Sequence, residues 1–261
     1  MSEMTISSRV GWAAFDTLTM ARRNLKIWFK VPAFIVFTVV QPVMFTLLFR
    51  YVFGGAIHTG AQGGYVDYLL PGVIGQTAAF TSFGTAISLA MELKTGVIDR
   101  LRAMPIARSA VLLGRLGADV VRLLVTLIII IAVGYGVGFR FHGGLARAFA
   151  LLGLALLLGI ATCCVSAFLG LAIKDEESVQ AFGLIWVFPL TFVSSAFVPV
   201  QTMPGWMQAF ANNQPITQMV DAMRAMALGT PAGNHVWAGA LWMVGVMAVF
   251  IPLAVRAYRK A

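Results

Sequence analysis

Hydrophobic positions in this chain come in long runs separated by short charged or proline-rich breaks, and the run lengths predict helices that cross a membrane. A span needs about 20 apolar residues to cover roughly 30 Å of hydrocarbon at about 1.5 Å per residue. Six stretches meet that length: Val31 to Phe49, Tyr68 to Met91, Val120 to Phe139, Ala148 to Ile173, Val179 to Val198 and Val236 to Val255. The pattern predicts an all-α membrane protein of one domain, residues 1–261, with six transmembrane helices.

Three segments break the rule of apolar runs. Over residues 9–30 the period is helical but two-faced. Ala14, Leu18, Ala21, Leu25, Trp28 and Phe29 fall on one side, with Asp16, Thr19, Arg23, Lys26 and Lys30 opposite. Such a helix is expected to lie on the membrane surface with its cations toward water and lipid phosphates. No signal-peptide pattern precedes the first span.

Residues 92–109, ELKTGVIDRLRAMPIARS, put dense charge between two apolar runs. Gly96 lets the chain leave the second span sharply, Val97, Ile98, Leu101 and Met104 form an apolar stripe, and Pro105 stops the helix. The expected element is a short amphipathic helix over 96–106 whose apolar stripe fills a groove in a soluble partner. A solvated loop helix on the bilayer is the alternative.

Residues 194–229 are too polar and too broken to span. Pro204 opens a short helix carrying Trp206, Met207 and Phe210, and Asn212-Asn213-Gln214-Pro215 breaks it. A second helix follows with Met219, Met223 and Met226 on one face and an Asp221–Arg224 pair on another. Two short re-entrant or interfacial helices over 203–228 are expected to cap an exit route; a loop pair that only packs on the bundle has nearly equal weight.

Charge fixes the expected orientation. Placing both termini in the cytoplasm puts 15 of the 19 Lys and Arg residues inside and leaves Arg50, Arg140, Arg147 and Arg224 outside. The +9 net charge therefore reads as a membrane-orientation signal and not as a nucleic-acid surface, because the cations flank apolar spans. Charged residues make up only 11% of the chain. The central thirds of the six predicted spans carry no charge, which argues against a proton- or sodium-driven carrier and against a charged-ring channel. Arg115, Asp119 and Arg122 are placed at the inner entrance of the third span, able to pair along one helix face.

Chemistry on the chain is sparse. No GxxxxGK[ST] loop is present, so ATP as a fuel requires a separate nucleotide-binding subunit, and the 96–106 helix is the natural place for it to dock. His58, His142 and His235 fall in outer loops without metal-ligand spacing, and adjacent Cys163 and Cys164 read as packing residues. Ser194-Ser195 lacks a nucleophile elbow. No catalytic, cofactor or metal residue is expected on this chain. The chain contains 19 Phe, 6 Trp and 5 Tyr, yet no regular aromatic array along one span marks a sugar-stacking channel.

These segments, in order, resemble the membrane subunit of type-2 ABC exporters, the group that includes daunorubicin-type drug-resistance permeases and lipid and polysaccharide exporters. The resemblance covers nearly the whole chain. It rests on TGVIDRLRAMPIARSAVLLGRL, residues 95–116, which looks like the coupling-helix region, and MPGWMQAFANNQPITQMVDAMRAM, residues 203–226, before the last span. The resemblance implies a permease paired with a second copy or a related permease, and with two ATPase subunits that carry ATP and Mg. Gly96, Val97, Ile98, Arg100, Leu101, Met104 and Pro105 would contact the ATPase. Arg22, Arg23 and Glu92 would form a cytoplasmic gate, and Trp206, Phe210, Asp221 and Arg224 would shape the exit. The expected setting is a bacterial inner membrane, with membrane lipids around the bundle. The expected cargo is an amphipathic drug or lipid. A polysaccharide exporter of the same group is the near alternative; an ATP-independent six-helix transporter or a membrane scaffold is the distant one.

Overall fold

The structure is a computed structural model that describes residues 6–30, 32–57, 64–104 and 108–260. It is helical throughout, with no strand among the described residues. In chain order the helices are α1 (Ile6–Lys30), α2 (Pro32–Leu48), α3 (Tyr65–Lys94), α4 (Val97–Ala103), α5 (Arg108–Gly136), α6 (Gly144–Ile173), α7 (Glu176–Phe192), α8 (Gly205–Asn213), α9 (Pro215–Leu228) and α10 (His235–Lys260). A π turn, Phe49–Phe53, extends α2, and a short 3₁₀ turn, Val200–Thr202, precedes α8.

The bundle is built around α3, whose residues 65–79 are buried without exception. Close approach depends on small residues in its neighbours. At Gly170 of α6 a Cβ would fall 2.4 Å from the Ala86 carbonyl oxygen, and at Gly183 of α7 it would fall 2.5 Å from the Phe83 ring. The main apolar core joins α3, α5, α6, α7 and α9 through residues such as Leu70, Ile74, Leu127, Leu158, Val187 and Met223. A second core closes one end of the bundle and gathers Met20, Leu89, Ile98, Leu101, Val111, Leu171, Ala254 and Tyr258. That end carries α1 and α4.

Among the described residues, four helices are long and apolar enough to cross a membrane: Tyr65–Lys94, Ala110–Gly136, Gly144–Ile173 and His235–Arg259. The other two expected spans, α2 and α7, are apolar helices of 17 residues each, about 25 Å long at the α-helical rise. Pro189 lies inside α7, which ends three residues later at Phe192. Carbonyls left open at Leu190 and Val193 accept hydrogen bonds from Gln214 Nε2 at 2.8 and 2.7 Å. At its other end α7 is capped by Asp175, which accepts from the Ser178 backbone N–H at 2.9 Å.

The third expected span differs at its start. Instead of beginning at Val120, α5 runs unbroken from Arg108, so Arg115, Asp119 and Arg122 sit within a helix and not at its entrance. Arg115 and Asp119 are buried, and Asp119 and Arg122 lie in the middle third of the apolar stretch Ala110–Gly136. Pairing with Arg122 and the hydrogen bond from Thr85 of α3 make burial of Asp119 tolerable, and Glu92 does the same for Arg115. The N-terminal helix also differs from its expected two-sided form. Met20 and Trp28 are buried, with Met20 packed on α5, whereas Trp12, Phe15, Leu18 and Phe29 are exposed on another side. Exposed apolar side chains also run along α2, α7 and α10, including Val40, Ile185, Phe188, Leu241 and Val249. With the apolar spans, they make the chain an integral membrane protein.

Candidate functional site

Sequence-predicted site residues separate into two groups at opposite ends of α3. At the second core, Gly96 holds a left-handed backbone, φ +68°, between the last turn of α3 and the first of α4. A side chain at that position would be strained, so glycine is what allows the sharp turn. The turn folds α4 back so that Ile98 and Leu101 are buried, 0% and 6% exposed, within the chain's own second core. The apolar stripe expected to fill a partner's groove is thus partly occupied by Met20, Leu89 and Val111. Arg100 and Met104 remain on the outside of α4, and Val97 is half-buried. Pro105 lies outside the described residues.

Glu92 ties three helices together beneath α4. Its Oε1 accepts from Arg23 of α1 at 3.2 Å, and its Oε2 accepts from Arg115 of α5 at 3.1 Å. Arg22, the neighbouring residue on α1, is exposed. The two expected gate residues Arg23 and Glu92 are therefore brought together, with Arg115 as a third member. Two turns away on the same antiparallel seam, Thr85 Oγ1 donates to Asp119 Oδ2 at 2.5 Å and lies 3.6 Å from Cys163 Sγ. Arg122 pairs with Asp119 along α5. The seam follows a spacing visible in the chain: Thr85 and Glu92 stand seven residues apart on α3, as do Arg115 and Arg122 on α5. Only the antiparallel packing shows that the two sets face each other.

At the far end Arg224 of α9 is the centre of a polar hub. Its guanidinium lies 3.6 Å from the centroid of the Tyr68 ring and donates to Asp221 Oδ1 at 2.5 Å, the Ser195 carbonyl at 2.6 Å and the Tyr68 carbonyl at 3.2 Å. Tyr68 O–H donates to the Ser195 carbonyl at 2.9 Å, and Ser195 Oγ donates to Asp221 at 2.7 Å. The Asp221–Arg224 pair expected from the sequence is present, and Tyr68 and Ser195 join it unforeseen. Trp206 and Phe210 are not in this hub; both stand exposed, one turn apart on α8.

A chain of phenylalanine rings connects the hub end to the bundle's middle. Phe53, Phe49, Phe197, Phe192, Phe188 and Phe80 follow one another at centroid separations of 5.1, 4.6, 5.2, 4.3 and 6.1 Å. The rings come from α2 with its π turn, the turn after α7, α7 itself and α3. No single helix supplies the array, which is why a search along one span does not find it.

No group of three metal-ligating side chains is present among the described residues. His142 lies 3.7 Å from the buried carboxylate of Asp67, and His235 Nδ1 is 2.7 Å from Gln218 Oε1; His58 lies outside the described residues. Cys163 and Cys164 are free and buried.

The geometry is that of a helical membrane bundle with one externally presented helix at one end and a paired-helix cap at the other. Residues 16–228 match the ABC-2 type transporter family. The chain belongs to that family. The permease is 33% identical to a daunorubicin resistance ABC transporter permease of Streptomyces coeruleorubidus, over 95% of this chain and 87% of that protein. It is 28% identical to a doxorubicin resistance ABC transporter permease of Mycobacterium tuberculosis, over 78% of this chain and 70% of that protein. Similarity extends to ABC transporter G family member 20 of Dictyostelium discoideum, 28% identical over 75% of the permease but 27% of the longer relative.

Proposed function

We propose that this permease is the membrane-spanning half of an ATP-driven exporter whose ATP and Mg are held by two separate ATPase subunits, with a second copy or a related permease completing the pathway. In this reading all six apolar helices cross a bacterial cell membrane, both termini are cytoplasmic, and α4 meets the ATPase. The observation that carries the reading is the mounting of α4: Ile98 and Leu101 anchor it inside the chain while Arg100 and Met104 face outward. A helix fixed in this way moves with α3 and α5 and not as a loose tether. Glu92, bonded to α1 and α5, then couples displacement of α4 to the surrounding helices.

The cargo this arrangement favours is an amphipathic molecule with an aromatic face. Rings from Phe53 to Phe80 offer stacking and apolar contact from the hub toward mid-bundle, with Phe188 exposed to receive it. Names of the two antibiotic-resistance relatives support an anthracycline as the first cargo to try. The test is co-expression with candidate P-loop ATPases, copurification, and ATP-dependent accumulation of daunorubicin in inverted vesicles. Retention of an ATPase together with accumulation supports the reading; absence of any ATPase association removes it. Association with transport of a lipid but not of daunorubicin retains the motor and changes the cargo.

A further inference from the structure

A groove of about 440 Å³ opens between α6 and α10 at the end of the bundle that carries α4, and neither α4 nor the Glu92 network lines it. Its walls are apolar, made by Phe168, Leu171, Leu253 and Ala257, and two cations, Lys174 and Arg256, stand on its rim. Leu171 belongs to the same end core as Ile98 and Leu101, which fixes the groove's position along the bundle. We infer that this groove binds one anionic phospholipid, its phosphate between Lys174 and Arg256 and an acyl chain against Phe168 and Leu253. The site goes beyond the export reading and does not depend on it.

Three observations select that occupant. The volume is in the range of about 300–1,000 Å³ common for small-molecule sites, and the wall is apolar while the charge is confined to the rim. Such a division suits an amphiphile and not a free polyphosphate, which would leave the apolar wall unfilled. Next, both rim charges are positive, and neither has a carboxylate within ion-pair distance among the described residues. A cationic amphiphile is repelled there, and a neutral one leaves two cations without a counter-charge.

The backbone adds the third observation. Lys174 is the only residue other than glycine with a positive φ among the described residues, +64°, at the point where α6 ends. Glycine is the usual residue in that left-handed position because it carries no Cβ. A lysine there keeps its cation beside Arg256 at a backbone cost that glycine would avoid. Asp175, the next residue, does not neutralise it by default: its carboxylate is engaged by the Ser178 backbone N–H as the cap of α7. Lipid-exposed cations at a helix end attract acidic headgroups electrostatically.

The test uses the full-length permease without an ATPase, extracted from vesicles of equal phosphatidylglycerol and phosphatidylcholine and examined by native mass spectrometry. One retained phosphatidylglycerol per chain is expected, preferred over phosphatidylcholine on the order of tenfold, as two nearby cations imply. Lys174→Gln with Arg256→Gln should abolish the preference. Leu253→Trp, which fills the wall and leaves both cations, should also reduce retention, because the acyl chain loses its place. Circular dichroism and monodispersity identify variants that keep the fold; Lys174→Gly provides a second variant that relaxes the backbone while deleting the cation. Equal retention of the two lipids overturns the inference, as does an unchanged preference in the folded double variant. Displacement of the lipid by inorganic phosphate overturns it as well, since the apolar wall would then contribute nothing. Because no transport is measured, loss of lipid binding and loss of export are separate outcomes.

Discussion

Glu92 and Arg115 meet at 3.1 Å across the seam between α3 and α5, with 13% and 8% of their side chains exposed. A buried ion pair contributes little by itself, but removing one partner strands the other charge. Glu92→Ala is expected to destabilise the permease by about 3 kcal/mol, at the low end for such losses because Arg23 and some solvent reach the site. Adding Arg115→Ala should recover part of that loss. Thermal unfolding of the two single variants and the double variant checks the coupling, and additive losses would show that the pair does not act as a unit.

The two sides of α4 should respond differently to substitution. Leu101→Asp buries a carboxylate in the end core and is expected to lower folded yield of the permease even when no ATPase is present. Arg100→Glu and Met104→Asp change the outer side and should leave folding intact while weakening ATPase copurification roughly tenfold. Size-exclusion profiles and retained ATPase, measured on the same preparations, separate the effects. Equal loss of folding in all three variants would contradict the division into a buried and a presented side.

At the opposite end, Arg224→Ala removes a ring contact and hydrogen bonds to Asp221, Ser195 and Tyr68 at once. A loss of about 2–4 kcal/mol is expected, against about 1 kcal/mol for Tyr68→Phe, which deletes only the hydroxyl donor to Ser195. Comparison of their unfolding midpoints provides the check. Similar midpoints would remove Arg224 from the centre of the hub.

The α7 cap carries a pH signature. Hydrogen bonding to Ser178 holds the Asp175 carboxyl below its ordinary value of 3.8, with burial opposing weakly and Lys94 adding a smaller downward pull. A depressed folded value means that the stabilisation is present above the unfolded value and is lost as pH falls through the folded one. Hydrogen exchange at the Ser178 amide should therefore accelerate in acid beyond its intrinsic trend. Asp175→Ala should show fast exchange at every pH and no such step.

Within the 194–229 segment, the sequence pattern and the structure agree closely. Pro204, Asn212-Asn213-Gln214 and Pro215 act through local backbone chemistry, so the two helices and the break between them can be read without knowing their neighbours. The α4 stripe is a different kind of signal. Periodicity identifies Ile98 and Leu101 as residues that need cover, but it carries no information about whether the cover is a partner or Met20 and Val111 of the same chain. Charges at 115, 119 and 122 conceal the start of α5 in a hydropathy pattern, because the pattern counts each charge before its partner on another helix is known. Long-range meetings account for Tyr68 and Ser195 too: their contacts with Arg224 bridge 156 and 29 positions.

The uninterrupted length of α3 has a mechanical consequence. Its 30 residues make a strut about 45 Å long, attached through Glu92 to α1 and α5 and through Tyr68 to the Arg224 hub. Pro71 is its only internal proline and sits near the hub end, leaving the long stretch toward α4 without such a break. Close-packed helices compress little, so α3 joins the α4 end of the bundle to the Tyr68 end as one continuous element.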